Sequence, residues 1–174
     1  MTDNDTREAV QNSSGKGRRV MLALGLVSLL SGCKTISSAV GLGPKPVTLD
    51  WKTLVLRAED DANANSAVAL DIVFVRDTAV LDTLAAMSAN KWFAGRADML
   101  RSFPDALTVL SFELVPGQTI KVPDKLWRSA DGRGVLAFAG YASQGEHRLR
   151  LARDTRGYLI QLGAQDFSAI DLKE

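Results

Sequence analysis

Hydrophobic and polar positions alternate through much of this 174-residue chain beyond residue 46. Val47, Leu49, Trp51, Thr53 and Val55 stand two apart, with more polar residues between most of them. That is the period of a strand buried on one face. Residues 59–66 are polar and read as a loop. Val68, Leu70, Ile72 and Phe74 restore the period of two and put Asp71 on the other face of a second strand. Between Thr78 and Phe103 the spacing becomes helical, first through Val80, Leu81, Leu84 and Met87, then through Trp92, Phe93, Arg96, Met99, Leu100 and Phe103. Asp77 or Thr78 suits the N-cap of the first helix, Ser88 or Asn90 that of the second, and Pro104 stops the run. Strand patterns return over residues 107–115, 119–122, 134–142, 147–152, 158–162 and 167–172. Pro116-Gly117 is a turn between them, and residues 123–134 form a loop with Asp131-Gly132 as a turn signal. Eight short strands separated by turn residues predict a mainly β domain. The expected form is an antiparallel β-sandwich with a helical insertion between its second and third strands.

The first 46 residues follow another rule. Residues 1–17 are polar, Arg18 and Arg19 follow, and residues 20–30 are apolar except for Gly25 and Ser28. A basic flank before a short apolar run is the plan of an export signal. The run falls well short of the roughly 20 residues needed to cross a bilayer. It ends in Leu30-Ser31-Gly32-Cys33, which resembles the lipobox of bacterial lipoproteins. Small residues there admit the signal peptidase, and the Cys33 thiol takes the lipid. Several acyl chains on one residue meet the need of a stable anchor for more than one chain. Lys34 rather than Asp follows, which by resemblance to enterobacterial sorting rules directs the anchor to the outer membrane. Residues 34–46 are rich in Ser, Gly and Pro, the composition of a tether. The expected organisation is therefore a signal peptide over 1–32, lipidated Cys33 with a tether over 33–46, and a periplasmic sandwich over 47–174.

Composition narrows the chemistry. Of 21 basic and 20 acidic residues, four and three precede Cys33, so the remainder carries 17 of each. The basic excess of a nucleic-acid binder is missing. One cysteine and one histidine make a poor ligand set for zinc, and no cofactor motif is visible. His147, in Gly145-Glu146-His147-Arg148, reads as a solvated turn residue. No serine stands in a nucleophile elbow. The chain does not read as an enzyme. Asp61, Asn63 and Asn65 occupy the first, third and fifth places of a calcium-type loop, but Ser66 replaces its glycine and Ile72 its bidentate glutamate. The reading is a polar turn without metal. Trp92 and Phe93 read as core. Arg148, Arg150, Arg153 and Arg156 read as a solvated strand edge.

The order of features resembles the TssJ (SciN) family of type VI secretion lipoproteins. A lipobox and tether lead to a strand ending in the Asp/Asn-rich loop 58–66. The strand Ala67-Val68-Ala69-Leu70-Asp71-Ile72-Val73-Phe74-Val75 follows, then the helical segment. After it come Phe112-Glu113-Leu114-Val115-Pro116-Gly117-Gln118-Thr119 and Gly134-Val135-Leu136-Ala137-Phe138-Ala139-Gly140-Tyr141. In the family the first loop is Asn-rich and followed by Ser-Pro; here Asn63, Asn65 and Ser66 match, and Ala67 stands in place of the proline. The resemblance implies a transthyretin-like sandwich with added helices, without catalysis. It implies an outer-membrane anchor whose periplasmic domain binds the C-terminal region of TssM, in a membrane complex with TssL. Carried over, the contact falls on Asp60, Asp61, Asn63, Asn65 and Ser66. The alternative is a stand-alone outer-membrane lipoprotein that binds a small molecule or a cell-wall component, for which a deep pocket at Trp92 and Phe93 is the expected sign.

Overall fold

The computed structural model describes residues 47–172. The export signal, Cys33 and the tether lie outside the described residues. Ten strands are present among those described: β1 (Val47–Thr48), β2 (Thr53–Ala58), β3 (Val68–Val75), β4 (Leu107–Leu114), β5 (Thr119–Lys121), β6 (Asp131–Gly132), β7 (Gly134–Gly140), β8 (Arg148–Leu151), β9 (Gly157–Leu162) and β10 (Phe167–Asp171). Eight of them build two four-stranded sheets, ordered β10-β9-β2-β5 and β4-β3-β7-β8, while β1 pairs with β6. Two helices, α1 (Thr78–Ala85) and α2 (Ala89–Ser102), interrupt the chain between β3 and β4. The fold is the mainly β sandwich with a helical insertion that the spacing predicts.

The alternation of the strands decides what each face meets. Leu54, Leu56, Tyr158, Ile160 and Leu162 of the first sheet pack on Val68, Leu70, Ile72, Phe74, Val135 and Ala137 of the second. The opposite face of β3 and β7 carries Val73, Val75, Leu136 and Phe138, and these pack under Val80, Leu81, Leu84 and Trp92 of the helices. β3 and β7 are thus buried on both faces. That explains why β3 reads as a nearly continuous apolar run. Asp77 caps α1, accepting the Val80 N–H at 2.9 Å. Trp92 is fully buried and stacks on Phe138, with ring centroids 5.1 Å apart.

Two features differ from the sequence reading. One pairing within the sandwich, β2 with β9, is parallel. The first strand also breaks: β1 bonds to Asp131 and Gly132, which act as a strand partner rather than a free turn. The backbone at Asp50 and Lys52 then bonds to Arg153 and Arg156 before β2 begins. Trp51 lies at the break, buried, with its indole N–H donating to the Ala152 carbonyl at 2.9 Å. The side-chain period survives the break, so periodicity alone does not reveal it. The parallel pair starts at Gly157, whose φ is +148°. A Cβ there would lie 1.8 Å from the Thr53 carbonyl oxygen.

Candidate partner-binding site

The polar loop between β2 and β3 sits at the end of the sandwich where β3 begins. Its backbone is unusual: Asn63, Ala64 and Asn65 have φ of 47°, 53° and 63°. Three consecutive residues with side chains therefore occupy the left-handed region. Each costs roughly 1–2 kcal/mol there, less for asparagine, whose side chain bonds locally. Such a turn needs support from outside, and neighbouring loops supply it. The Asn63 N–H donates to the Gly163 carbonyl and the Ala64 N–H to the Ala164 carbonyl, at 3.1 and 3.2 Å. The Asn63 side chain donates through Nδ2 to the Ala67 carbonyl at 3.0 Å. Its Oδ1 accepts the Ala142 N–H at 2.9 Å.

The five residues expected at the contact do not behave alike. Asp60, Asp61, Asn65 and Ser66 are exposed. Asn63 is only 7% exposed, and its amide bonds inside the protein. Its Oδ1 is also withdrawn from the calcium-type ligand set. Among the described residues no cluster of His, Cys, Asp and Glu gathers to hold a metal. The β4–β5 turn joins the same end. The Gly117 N–H donates to the Glu59 carbonyl at 3.1 Å. Gly117 has φ of +76°, and a Cβ there would stand 3.1 Å from Asp60 Oδ1.

Sequence reasoning missed a second buried polar group beside this loop. His147, read as solvated, is 5% exposed with φ of 41°. Its ring packs on Tyr141 at 4.8 Å. Nδ1 meets Asp166 Oδ1 at 3.1 Å, and Nε2 lies 3.0 Å from the Ser143 carbonyl and 3.3 Å from Ser143 Oγ. The only hint in the sequence is Gly145, where a Cβ would come within 2.7 Å of the imidazole. Ser143, His147 and Asp166 look like a hydrolytic triad but are wired differently. The Ser143 hydroxyl donates to the Gln165 carbonyl at 2.8 Å. Nε2 lies nearer the Ser143 carbonyl than the Ser143 hydroxyl, so the ring is not aimed at the serine proton. The Asp166 side chain is 73% exposed, unlike the buried orienting carboxylate of a triad. The arrangement holds loops together.

Tyr141 completes it, donating its hydroxyl to the Asp166 carbonyl at 2.8 Å. Burial pushes the Tyr141 phenol well above its usual range, with the charges of Asp166 and Glu59 adding to the effect. Residues 141–147 and 163–166 thus join the β2–β3 loop as one polar platform. Its exposed carboxylates are Asp60, Asp61, Glu146 and Asp166.

The region of Trp92 and Phe93 is filled. The Trp92 indole donates to Asp71 Oδ2 at 2.8 Å, and Phe93 lies against Gly140 and the Arg96 guanidinium. The deep pocket expected of a small-molecule binder is not at that place. A cleft of about 420 Å³ does open beyond the other end of β3, between Val80 and Thr83 of α1 and Met99 and Phe103 at the end of α2.

No protein-family model matches the sequence, and no curated protein matches it. Solved structures do resemble the fold. The crystal structure of the type VI secretion lipoprotein TssJ1 from Pseudomonas aeruginosa aligns with 75% of this chain and 99% of its own, at 17% identity and a TM-score of 0.50. A structure of the type VI secretion protein TssM C-terminal domain from EAEC aligns with 68% of this chain and 98% of its own, at 20% identity and a TM-score of 0.50. The sandwich with its helical insertion is therefore the fold found in a type VI secretion lipoprotein of the TssJ kind.

Proposed function

We propose that this chain is an outer-membrane lipoprotein of a type VI secretion membrane complex. Lipid on Cys33 holds it to the periplasmic face of that membrane, and its folded domain binds the periplasmic C-terminal region of TssM, the partner of TssL in the complex. The role is mechanical: one end fixed in lipid, the other in a protein.

The observation that carries this reading is the placement of the two ends. The described chain starts at β1, which pairs with Asp131 and Gly132. The following Arg133 N–H donates to the carbonyl of Val75, the last residue of β3. The Asp/Asn loop stands before the first residue of β3. Chain entry and candidate contact are therefore separated by the length of β3, about 25 Å for eight residues at ~3.3 Å each. An entry point at one end and an exposed loop at the other suit a link between a membrane and a partner. The fold shared with TssJ1 supports the same assignment.

The test is binding of the purified full-length chain, in detergent, to the periplasmic C-terminal region of TssM. The expected result is a stable complex that is lost when Asp60, Asp61, Asn65 and Ser66 are replaced together by alanine. No complex with the intact chain, or an unchanged complex with the replaced loop, refutes the reading. Cys33→Ser is expected to release the protein from the outer membrane and to stop secretion.

A further inference from the structure

The loop that this reading assigns to TssM is strained, yet it is anchored at one buried side chain. Asn63 bonds to Ala67 within its own loop and to Ala142 in the β7–β8 loop. Its backbone N–H and that of Ala64 reach Gly163 and Ala164 in the β9–β10 loop. Three chain segments far apart in sequence therefore meet at one residue. No other residue type supplies all of this as readily. Asparagine tolerates the left-handed backbone, and its amide offers a donor and an acceptor in one plane.

We propose that Asn63 is a positioning residue: it does not touch the partner, but it locks the β2–β3 loop to the loops at 141–147 and 163–166 so that they bind as one preformed surface. The inference rests on the proposed function and adds two things to it. It removes Asn63 from the contact and gives it the task of ordering Asp60, Asp61, Asn65 and Ser66. It also widens the contact to Gln144, Glu146, Gln165 and Asp166, all exposed on the adjoining loops.

The physical argument is preorganisation. Ordering a loop on binding costs backbone entropy for every residue that is fixed. A loop held ready has met that cost during folding, and affinity falls in proportion when the competent state is only partly populated. The left-handed turn is a conformation that a free loop of this composition seldom visits, so its loss leaves a small competent fraction.

The experiment uses the full-length chain in detergent and two variants. Asn63→Gly keeps the left-handed backbone without strain and removes the amide. Asn63→Asp keeps the acceptor for Ala142 and loses the donor to Ala67. Amide hydrogen exchange is read at Ala64, Asn65, Ser66 and Ala142 in the free protein, and affinity for the periplasmic region of TssM by calorimetry. Asn63→Gly is expected to speed exchange at these amides at least tenfold and to weaken binding by a similar factor, with Asn63→Asp between it and the parent. In the complex, exchange at Asn65 and Ser66 should be alike in parent and variant. Val80→Ala, under α1 beyond the other end of β3, lowers stability and is expected to leave affinity unchanged. Unaltered exchange in Asn63→Gly overturns the proposal, and so does faster exchange with undiminished affinity. An equal loss in Val80→Ala would overturn it by showing that affinity follows global stability. If the parent chain does not bind TssM, the proposed function fails, and the exchange measurement still reports separately whether Asn63 orders the loop.

Discussion

Trp92 donates its indole N–H to Asp71 Oδ2 over 2.8 Å, joining the first turn of α2 to the middle of β3. Asp71 is 1% exposed, and its second partner on the same oxygen, Arg96 at 2.9 Å, is 43% exposed. A buried carboxylate with two donors fixes the register of the helix on the sheet in a way that an apolar contact does not.

Asp71→Ala is expected to destabilise the domain by about 3 kcal/mol, because it strands the Trp92 N–H and unpairs the layer at once. Asp71→Asn retains an acceptor for the indole and costs less. Arg96→Ala is costly as well, because it leaves the buried Asp71 carboxylate without its cationic partner. Urea unfolding followed by Trp fluorescence compares the three variants; a loss for Asp71→Ala no larger than that for Asp71→Asn would contradict this account.

Gly157 is the second point of low tolerance. Its left-handed-side φ and the 1.8 Å gap between a virtual Cβ and the Thr53 carbonyl leave no room for a side chain. The contact is with backbone, so no rotamer change relieves it. Gly157→Ala is expected to cost at least about 3 kcal/mol and to open the β2–β9 pair. The check is a fall in thermal midpoint together with lost exchange protection in residues 53–58. A midpoint within one or two degrees of the parent would exclude the close approach.

Alkaline pH should unfold the protein through its tyrosines. Burial is the main cause that raises Tyr141 and Tyr158 above the ordinary phenol value of 10.0. Tyr141 gains further from Asp166 and Glu59, and Tyr158 from Asp171 and Asp154, against the lowering effect of the Ala152 N–H on the Tyr158 oxygen. A group raised in the folded state favours the native form fully below its unfolded value and loses that contribution as pH rises toward its folded value. Stability is therefore expected to hold steady between pH 8 and about 9.5 and to fall from about 10 upward. Urea midpoints across this range measure it. Tyr141→Phe should flatten the fall, and an equally steep fall in that variant would assign it to other groups.

Most of the fold was legible because side-chain period reports burial directly. The spacing gives the element type over residues 68–75 and within 78–103, since Val68, Leu70, Ile72 and Phe74 face one core while Val80, Leu84 and Trp92 face another. The parallel pairing of β2 with β9 was not legible, because period gives the face of a strand and never its neighbour. The exposed members of the site, Asp60, Asp61, Asn65 and Ser66, were legible as a polar loop. The buried members were not. Asn63 and His147 carry the same letters as solvated turn residues, and what buries them is contact with loops about 80 and 20 positions away. Periodicity does not reach over such distances in irregular backbone.

The charge of the platform gives the last prediction. Asp60, Asp61 and Asp166 are exposed at one end of the domain, with Glu146 paired to Arg148 beside them, while residues 47–174 hold 15 basic and 17 acidic side chains. An uneven distribution on a nearly neutral body steers a partner by its local field, and salt screens that field over about 10 Å at 0.1 M. Association with the periplasmic region of TssM is therefore expected to slow several-fold between 50 and 500 mM salt, with a smaller change in dissociation. The Asp60→Asn, Asp61→Asn double variant should start slower and lose most of the salt dependence, while keeping the shape of the loop because neither side chain holds the turn at Asn63. Stopped-flow association at several salt concentrations separates the cases. A salt slope that is the same in parent and double variant would mean that the partner does not approach through these carboxylates, and would move the contact off the β2–β3 loop.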